Sequence, residues 1–125
     1  MTHSSSETKQ LVEDYLRALS GRPKTRELVS QFVSDPSLAE HIHQIEAAFP
    51  SYELIAEQLI ADGDLAALRG TFCGVQRGPF AGLPPTGKYV TVDLMIFYRI
   101  DNGRIVEHWL QMNNAALVEQ LAAAA

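Results

Sequence analysis

The residues able to move protons are few and scattered. Four histidines, one cysteine and fifteen carboxylates are spread over 125 residues. His41 falls three residues after Leu38 and four before Ile45, on the apolar side of a helical repeat. An imidazole there either hydrogen-bonds inside a core or lines a pocket. Asp93 sits between Val92 and Leu94 in the most apolar run of the chain. Buried, it is a candidate acid or base; at a sheet edge, it is a solvated charge that discourages edge pairing. In the run from Ile105, strict alternation groups Glu107, Trp109, Gln111 and Asn113 on one face. That face is either a half-exposed sheet surface or a pocket wall with a few placed polar groups. Met95 and Phe97 share a face with Asp93 on the preceding run.

Other chemistries fit poorly. Gly82-Leu-Pro-Pro-Thr-Gly-Lys88 has the outline of a phosphate loop. Tyr89 stands where the magnesium-binding hydroxyl belongs, Pro84 and Pro85 lack N–H donors, and a strand follows instead of a helix. A rigid turn is the better reading. His41 and His43 project about 200° apart on a helix, and no carboxylate lies at ligand spacing, so no metal is expected. His3 falls in a polar N-terminal stretch. Cys73 has no partner in the chain for a disulfide.

The surrounding elements are legible. Ser4 and Glu7 form a capping-box pattern ahead of Leu11, Val12, Tyr15, Leu16 and Leu19. Thr25 caps a short second helix, and Asp35-Pro36 starts a third with Leu38, Ile42, Ile45 and Phe49 inward. Strands are expected at 52–61, 65–75, 89–100 and 104–112, with Asp62-Gly63 and Asn102-Gly103 as hairpin turns. A closing helix follows at 115–121. Three helices, four consecutive strands and one helix predict an α+β fold with helices on one face of a curved sheet. Residues 1–7 are expected to be a tail and 8–125 a single domain.

Hydrophobic residues make up 46% and the formal net charge is −5. An acidic chain without a basic stripe is a poor nucleic-acid binder. No run approaches the roughly 20 apolar residues of a membrane span, and no signal peptide is visible, so a cytoplasmic protein is expected.

Three blocks then carry a resemblance. Gly78-Pro-Phe-Ala-Gly-Leu-Pro-Pro-Thr-Gly-Lys88, Tyr98-Arg-Ile followed by Gly103-Arg-Ile-Val-Glu-His-Trp109, and Leu117-x-x-Gln-Leu121 resemble the SnoaL-like polyketide cyclase (ester cyclase) family. Phe49-Pro50 and Ile60-Ala-Asp-Gly-Asp64 are similar too, so the resemblance covers about residues 8–121. It implies the nuclear-transport-factor-2-like cone around a deep apolar pocket, often dimeric through the sheet. It implies intramolecular aldol chemistry on a polyketide ester with no metal or cofactor, a pocket carboxylate moving the proton. Two positions depart from the family pattern. Asn113 stands where an Asp is usual, and Gln76 where a His is common. An amide cannot be a general base near neutral pH, although it can orient a ligand. Two classes of function stay open: a cofactor-independent acid–base catalyst of the cyclase, isomerase or hydrolase type, in which Asp93 or His41 takes the base role beside Asn113, or a non-catalytic small-molecule-binding protein or dimeric interaction module that has lost the family carboxylate. Substrate contact falls to Gln76, Trp109, Gln111, Glu107, Met95, Phe97 and Phe49. The partners expected are a small apolar molecule and a second copy, docked through a sheet face bearing Val106, His108 and Leu110.

Overall fold

The computed structural model describes residues 4–123. The element order is α1 (Ser5–Leu19), α2 (Arg26–Ser30), α3 (Pro36–Ala48), β1 (Glu53–Asp62), β2 (Leu65–Val75), β3 (Tyr89–Asp101), β4 (Arg104–Met112) and α4 (Asn114–Ala122). This is the expected α+β arrangement, a curved antiparallel sheet in the order β1-β2-β3-β4 with helices on one face. Helix α1 begins at Ser5 with both halves of the Ser4–Glu7 capping box formed. Residues 5–7 therefore belong to the domain and not to a tail. Residues 1–3, His3 among them, lie outside the described residues.

The turns follow local chemistry. Asn102 and Gly103 both take positive φ (53° and 75°), as a type I′ hairpin turn requires. Thr8 Oγ1 donates to the Gly63 carbonyl and Gly63 N–H donates to Ser5 Oγ, which ties the start of α1 to the first hairpin.

Along β3, burial alternates without a fault. Val90, Val92, Leu94, Ile96, Tyr98 and Ile100 face the helices; Tyr89, Thr91, Asp93, Met95, Phe97 and Arg99 face out. β4 does not alternate in step with it. Ile100 pairs with Ile105, and Arg99 pairs with Glu107, so Val106 is an extra residue on β4. This bulge turns the rest of the strand over. Ile105 and His108 both face inward, while Glu107, Trp109 and Gln111 face outward opposite Arg99, Phe97 and Met95. The face expected to form a pocket wall is thus the outer surface of the sheet. Trp109 is 48% exposed there, Phe97 45% and Met95 57%. The expected docking face is corrected by the same bulge: His108, Leu110 and Met112 line the interior.

The start of β4 also receives the chain from α2. Val33 bridges to Ile105 in parallel, Ser34 N–H and Asp35 N–H donate to the Ile105 carbonyl, and Ile105 N–H donates to Phe32 O. Asp35 therefore enters α3 alongside the strand that carries His108.

The second bulge, between Ala56 and Gln58 on β1, sits against Gly70. A Cβ at position 70 would lie 2.4 Å from the Ile55 carbonyl oxygen. Backbone cannot rotate aside as a side-chain tip can, so Gly70→Ala is expected to destabilise the domain by about 1–3 kcal/mol. A urea-denaturation midpoint equal to wild type would contradict this close approach.

Candidate functional site

The inner face of the sheet and α3 enclose a cavity of about 40 Å³. Leu38, Ile42 and Ile45 of α3 form one side, and Leu94, Ile96 and Tyr98 of β3 the other. Tyr15, Tyr52 and Phe72 close the inner end. His41, His108, Leu110 and Met112 are half-buried and mark the end nearer solvent. The walls are apolar apart from two imidazoles and three phenols. The volume holds two or three water molecules, against ~300–1,000 Å³ for the sites of drug-sized ligands. The deep pocket expected from the resemblance is therefore a much tighter space.

One polar pair dominates it. His108 Nδ1 lies 2.8 Å from Asp35 Oδ2, and both side chains are largely buried. Asp35 uses its other oxygen as the N-cap of α3, where Oδ1 accepts from Ser37 N–H at 3.0 Å and Leu38 N–H at 3.3 Å. Burial alone would raise the Asp35 pKa. The hydrogen bonds from His108 and from the two backbone N–H groups outweigh it and hold the pKa below its ordinary value. Asp35 is therefore ionised at neutral pH and can only accept. Nδ1 of His108 must carry a proton to bond it, and in the neutral ring the lone pair is then on Nε2.

His41 lies on α3, six residues beyond the cap, and lines the same cavity. Burial, and then repulsion from His108 whenever that ring is charged, push its pKa below 6.5. It is neutral at pH 7. Of the two open readings of His41, the structure supports the one that places it on a cavity.

The other sequence candidates are placed elsewhere. Asp93 is exposed on the outer sheet face, with Met95 and Gln111 beside it in a shallow groove that also includes Arg69 and Asn113. Glu107 pairs with Arg99 at 3.0 Å, and the Arg99 guanidinium lies 5.8 Å from the Trp109 ring centre, so these residues and Phe97 are surface neighbours. Asn113 caps α4, its Oδ1 accepting from Ala116 N–H at 3.0 Å. Gln76 is fully buried, but its amide is spent on the glycine-proline loop. Nε2 donates to the carbonyls of Gly78 and Leu83, and Oε1 accepts from Thr86 N–H and Oγ1. Phe49 is buried edge-on against Phe72 and Phe80, one layer behind the cavity wall. Lys88, at the end of that loop, donates to the carbonyls of Leu121 and Ala123 at the end of α4. The lysine of the phosphate-loop outline thus closes a helix.

The site residues that sequence reasoning missed are Asp35, His108 and Tyr98. The cap signal at Asp35 is visible, but it accounts for one carboxylate oxygen only. His108 is 73 positions away and is turned inward by a bulge that strict alternation cannot show. The Tyr98 hydroxyl is buried without a hydrogen-bond partner among the described residues, an arrangement that costs about 1–3 kcal/mol.

Comparison with known proteins agrees with this fold. The profile described as SnoaL-like polyketide cyclase matches residues 23–121. The chain belongs to the SnoaL-like polyketide cyclase family. Among solved structures, AclR from Streptomyces galilaeus, described as a candidate hydroxylase, is 25% identical with a TM-score of 0.81, covering 98% of this chain and 87% of that one. TsrD from Streptomyces laurentii is 26% identical with a TM-score of 0.76, covering 95% and 97%. A candidate polyketide cyclase from Acidithiobacillus ferrooxidans shares the fold at 22% identity, with a TM-score of 0.80 and coverage of 97% and 98%. Among curated proteins no sequence matches. No described helix is long and apolar enough to cross a membrane, and no group of three or more His, Cys, Asp or Glu side chains among the described residues could hold a metal ion.

Two predictions concern this family member's polar pair and its neighbour. Asp35→Asn keeps a good N-cap but removes the negative charge beside His108, whereas Asp35→Ala removes both. The alanine variant is expected to be less stable than the asparagine variant by about 0.5–2 kcal/mol in urea denaturation; equal stabilities would show that Oδ1 does not cap α3. His41 has a folded-state pKa below its unfolded value. The stability from its neutral form is complete above pH 6.5 and is lost as pH falls through the folded value. Wild type should therefore lose stability between pH 7 and pH 5 more steeply than His41→Leu. Parallel pH profiles would mean that His41 is solvated.

Proposed function

We propose that the protein is a cofactor-independent acid–base catalyst that acts on an apolar, oxygenated small molecule held between α3 and the inner sheet face. The supporting observation is the 2.8 Å contact between Asp35 and His108 at the cavity wall. An imidazole oriented by a buried carboxylate is a competent base, since the carboxylate fixes the tautomer and stabilises the imidazolium that forms. Nε2 of His108 takes a proton from carbon next to a carbonyl, and the C–H electron pair moves to the carbonyl oxygen as an enolate. The enolate carbon then bonds to a second carbonyl carbon in the same molecule. The new alkoxide recovers the proton from His108. His41, neutral at pH 7, can donate one hydrogen bond to a substrate oxygen. The family supplies the substrate class, polyketide-type esters and ketones, and the apolar walls suit it. A polyketide-sized substrate needs more than 40 Å³, so Leu110 and Met112 must turn aside for it to enter.

The second copy belongs to this proposal too. The outer face of the sheet carries Met95, Phe97 and Trp109 in adjacent register, and these could pack against the same residues of another chain. A homodimer through this face would leave the inner cavity free.

A small carbon acid tests the base directly. Nitroethane is compact enough to need little opening, and its exchange with D2O is read by NMR. Wild type should accelerate this exchange, and His108→Ala should reduce the acceleration by about 10²–10⁴-fold. If the alanine variant exchanges nitroethane as fast as wild type, His108 is not the base.

A further inference from the structure

Tyr98 and His108 are directly opposed on adjacent strands, and both face the cavity. Side chains so paired on one face of an antiparallel ladder start about 4.5–5.5 Å apart at Cβ. Tyr98 is 0% exposed, and its hydroxyl has no hydrogen-bond partner among the described residues. The Tyr15 ring meets the Tyr98 ring edge-on, with centroids 5.7 Å apart. The two hydroxyls stand close enough to act on each other's ionisation, but the Tyr98 oxygen makes no hydrogen bond of ordinary geometry among the described residues. The adjoining wall is apolar on both strands: Ile96 precedes Tyr98 by two on the same face, and Leu110 follows His108 by two. A phenol in such a wall wastes a donor unless something entering the cavity accepts from it.

We propose that the Tyr98 hydroxyl is the donor that receives the oxyanion formed when His108 removes a proton, so that the cavity recognises an enolate or nitronate oxygen. This rests on the acid–base reading above and adds the second half of the site. The atoms balance without a further reactant. The C–H proton goes to Nε2, the electron pair goes to oxygen, and the Tyr98 O–H donates to that oxygen without transferring its proton. Burial, and then the neighbouring Tyr15 and Tyr52, hold the Tyr98 pKa well above its ordinary value, so the phenol keeps its hydrogen. Fixed donors in a water-poor site act on charge as it develops. A neutral carbonyl accepts a weaker bond than an oxyanion, so the donor favours the transition state over the bound substrate.

Tyr98→Phe removes the one oxygen and keeps the ring. With nitroethane exchange as the readout, the variant should lose about 10–100-fold, the range of a hydrogen bond to a charged acceptor. The loss should fall on kcat with KM little changed, which a general loosening of the cavity would not produce. A second arm needs no ligand. Because the hydroxyl has no partner in the free protein, Tyr98→Phe should melt at or above the wild-type temperature. A clear drop in melting temperature would show that the hydroxyl is already bonded and would overturn the proposal. If Tyr98→Phe exchanges nitroethane at the wild-type rate while His108→Ala does not, the oxyanion role is wrong and the base stands. If wild type does not accelerate exchange at all, both readings fall.

Discussion

The Asp35 carboxylate holds three parts of the molecule in one relation. One oxygen starts α3, and the other fixes the ring of His108 on β4. Because His41 is carried by α3, the same group sets where the two imidazoles stand across the cavity. A carboxylate in this position would be costly if it lost any of its partners, since burial works against its charge. It is kept ionised by three donors, two from the backbone of the helix it caps. The cap is thus more than a local stop signal: the helix terminus supplies the hydrogen bonds that let a buried anion orient a histidine.

The parallel bridge between Val33 and Ile105 brings that carboxylate to the strand, and the bulge at Val106 turns the histidine to meet it. Without the extra residue, strict alternation from Ile105 would send His108 to the outer face and bring Trp109 and Gln111 inside. One inserted residue therefore decides whether the cavity is lined by an imidazole or by an indole and an amide. It equally decides that the exposed sheet face carries Trp109, Phe97 and Met95.

This explains which parts of the molecule were legible in the sequence. Caps, turns and apolar repeats are local, and Ser4, Thr25, Asp35-Pro36 and Asn102-Gly103 each sit where their own chemistry places them. The family resemblance was legible for the same reason, being carried by contiguous blocks. The site was not, because it depends on register. Nothing in Arg104–Met112 marks Val106 as the extra residue, since the bulge is defined only by pairing with β3. His41 was legible because a helix has one period throughout. Alternation puts Met95 and Phe97 on one face with Asp93, but which face points out is set by the side that the helices cover.

The two amides that depart from the family pattern have different tasks in the fold. Asn113 spends its oxygen on the first turn of α4, a task that Asp and Asn perform about equally well. Gln76 has both ends of its amide engaged by the glycine-proline loop, where a single imidazole could not offer the same two donors and acceptor. Neither residue lines the inner cavity. The absence of a carboxylate at 113 therefore removes no proton acceptor from that space, and the groups that can handle a proton there are Asp35 with His108, His41 and the tyrosines. The Asp35–His108 pair of this cavity lies at the junction of α3 and β4, away from the start of α4. There a carboxylate-held imidazole and an unpaired phenol stand side by side against apolar walls.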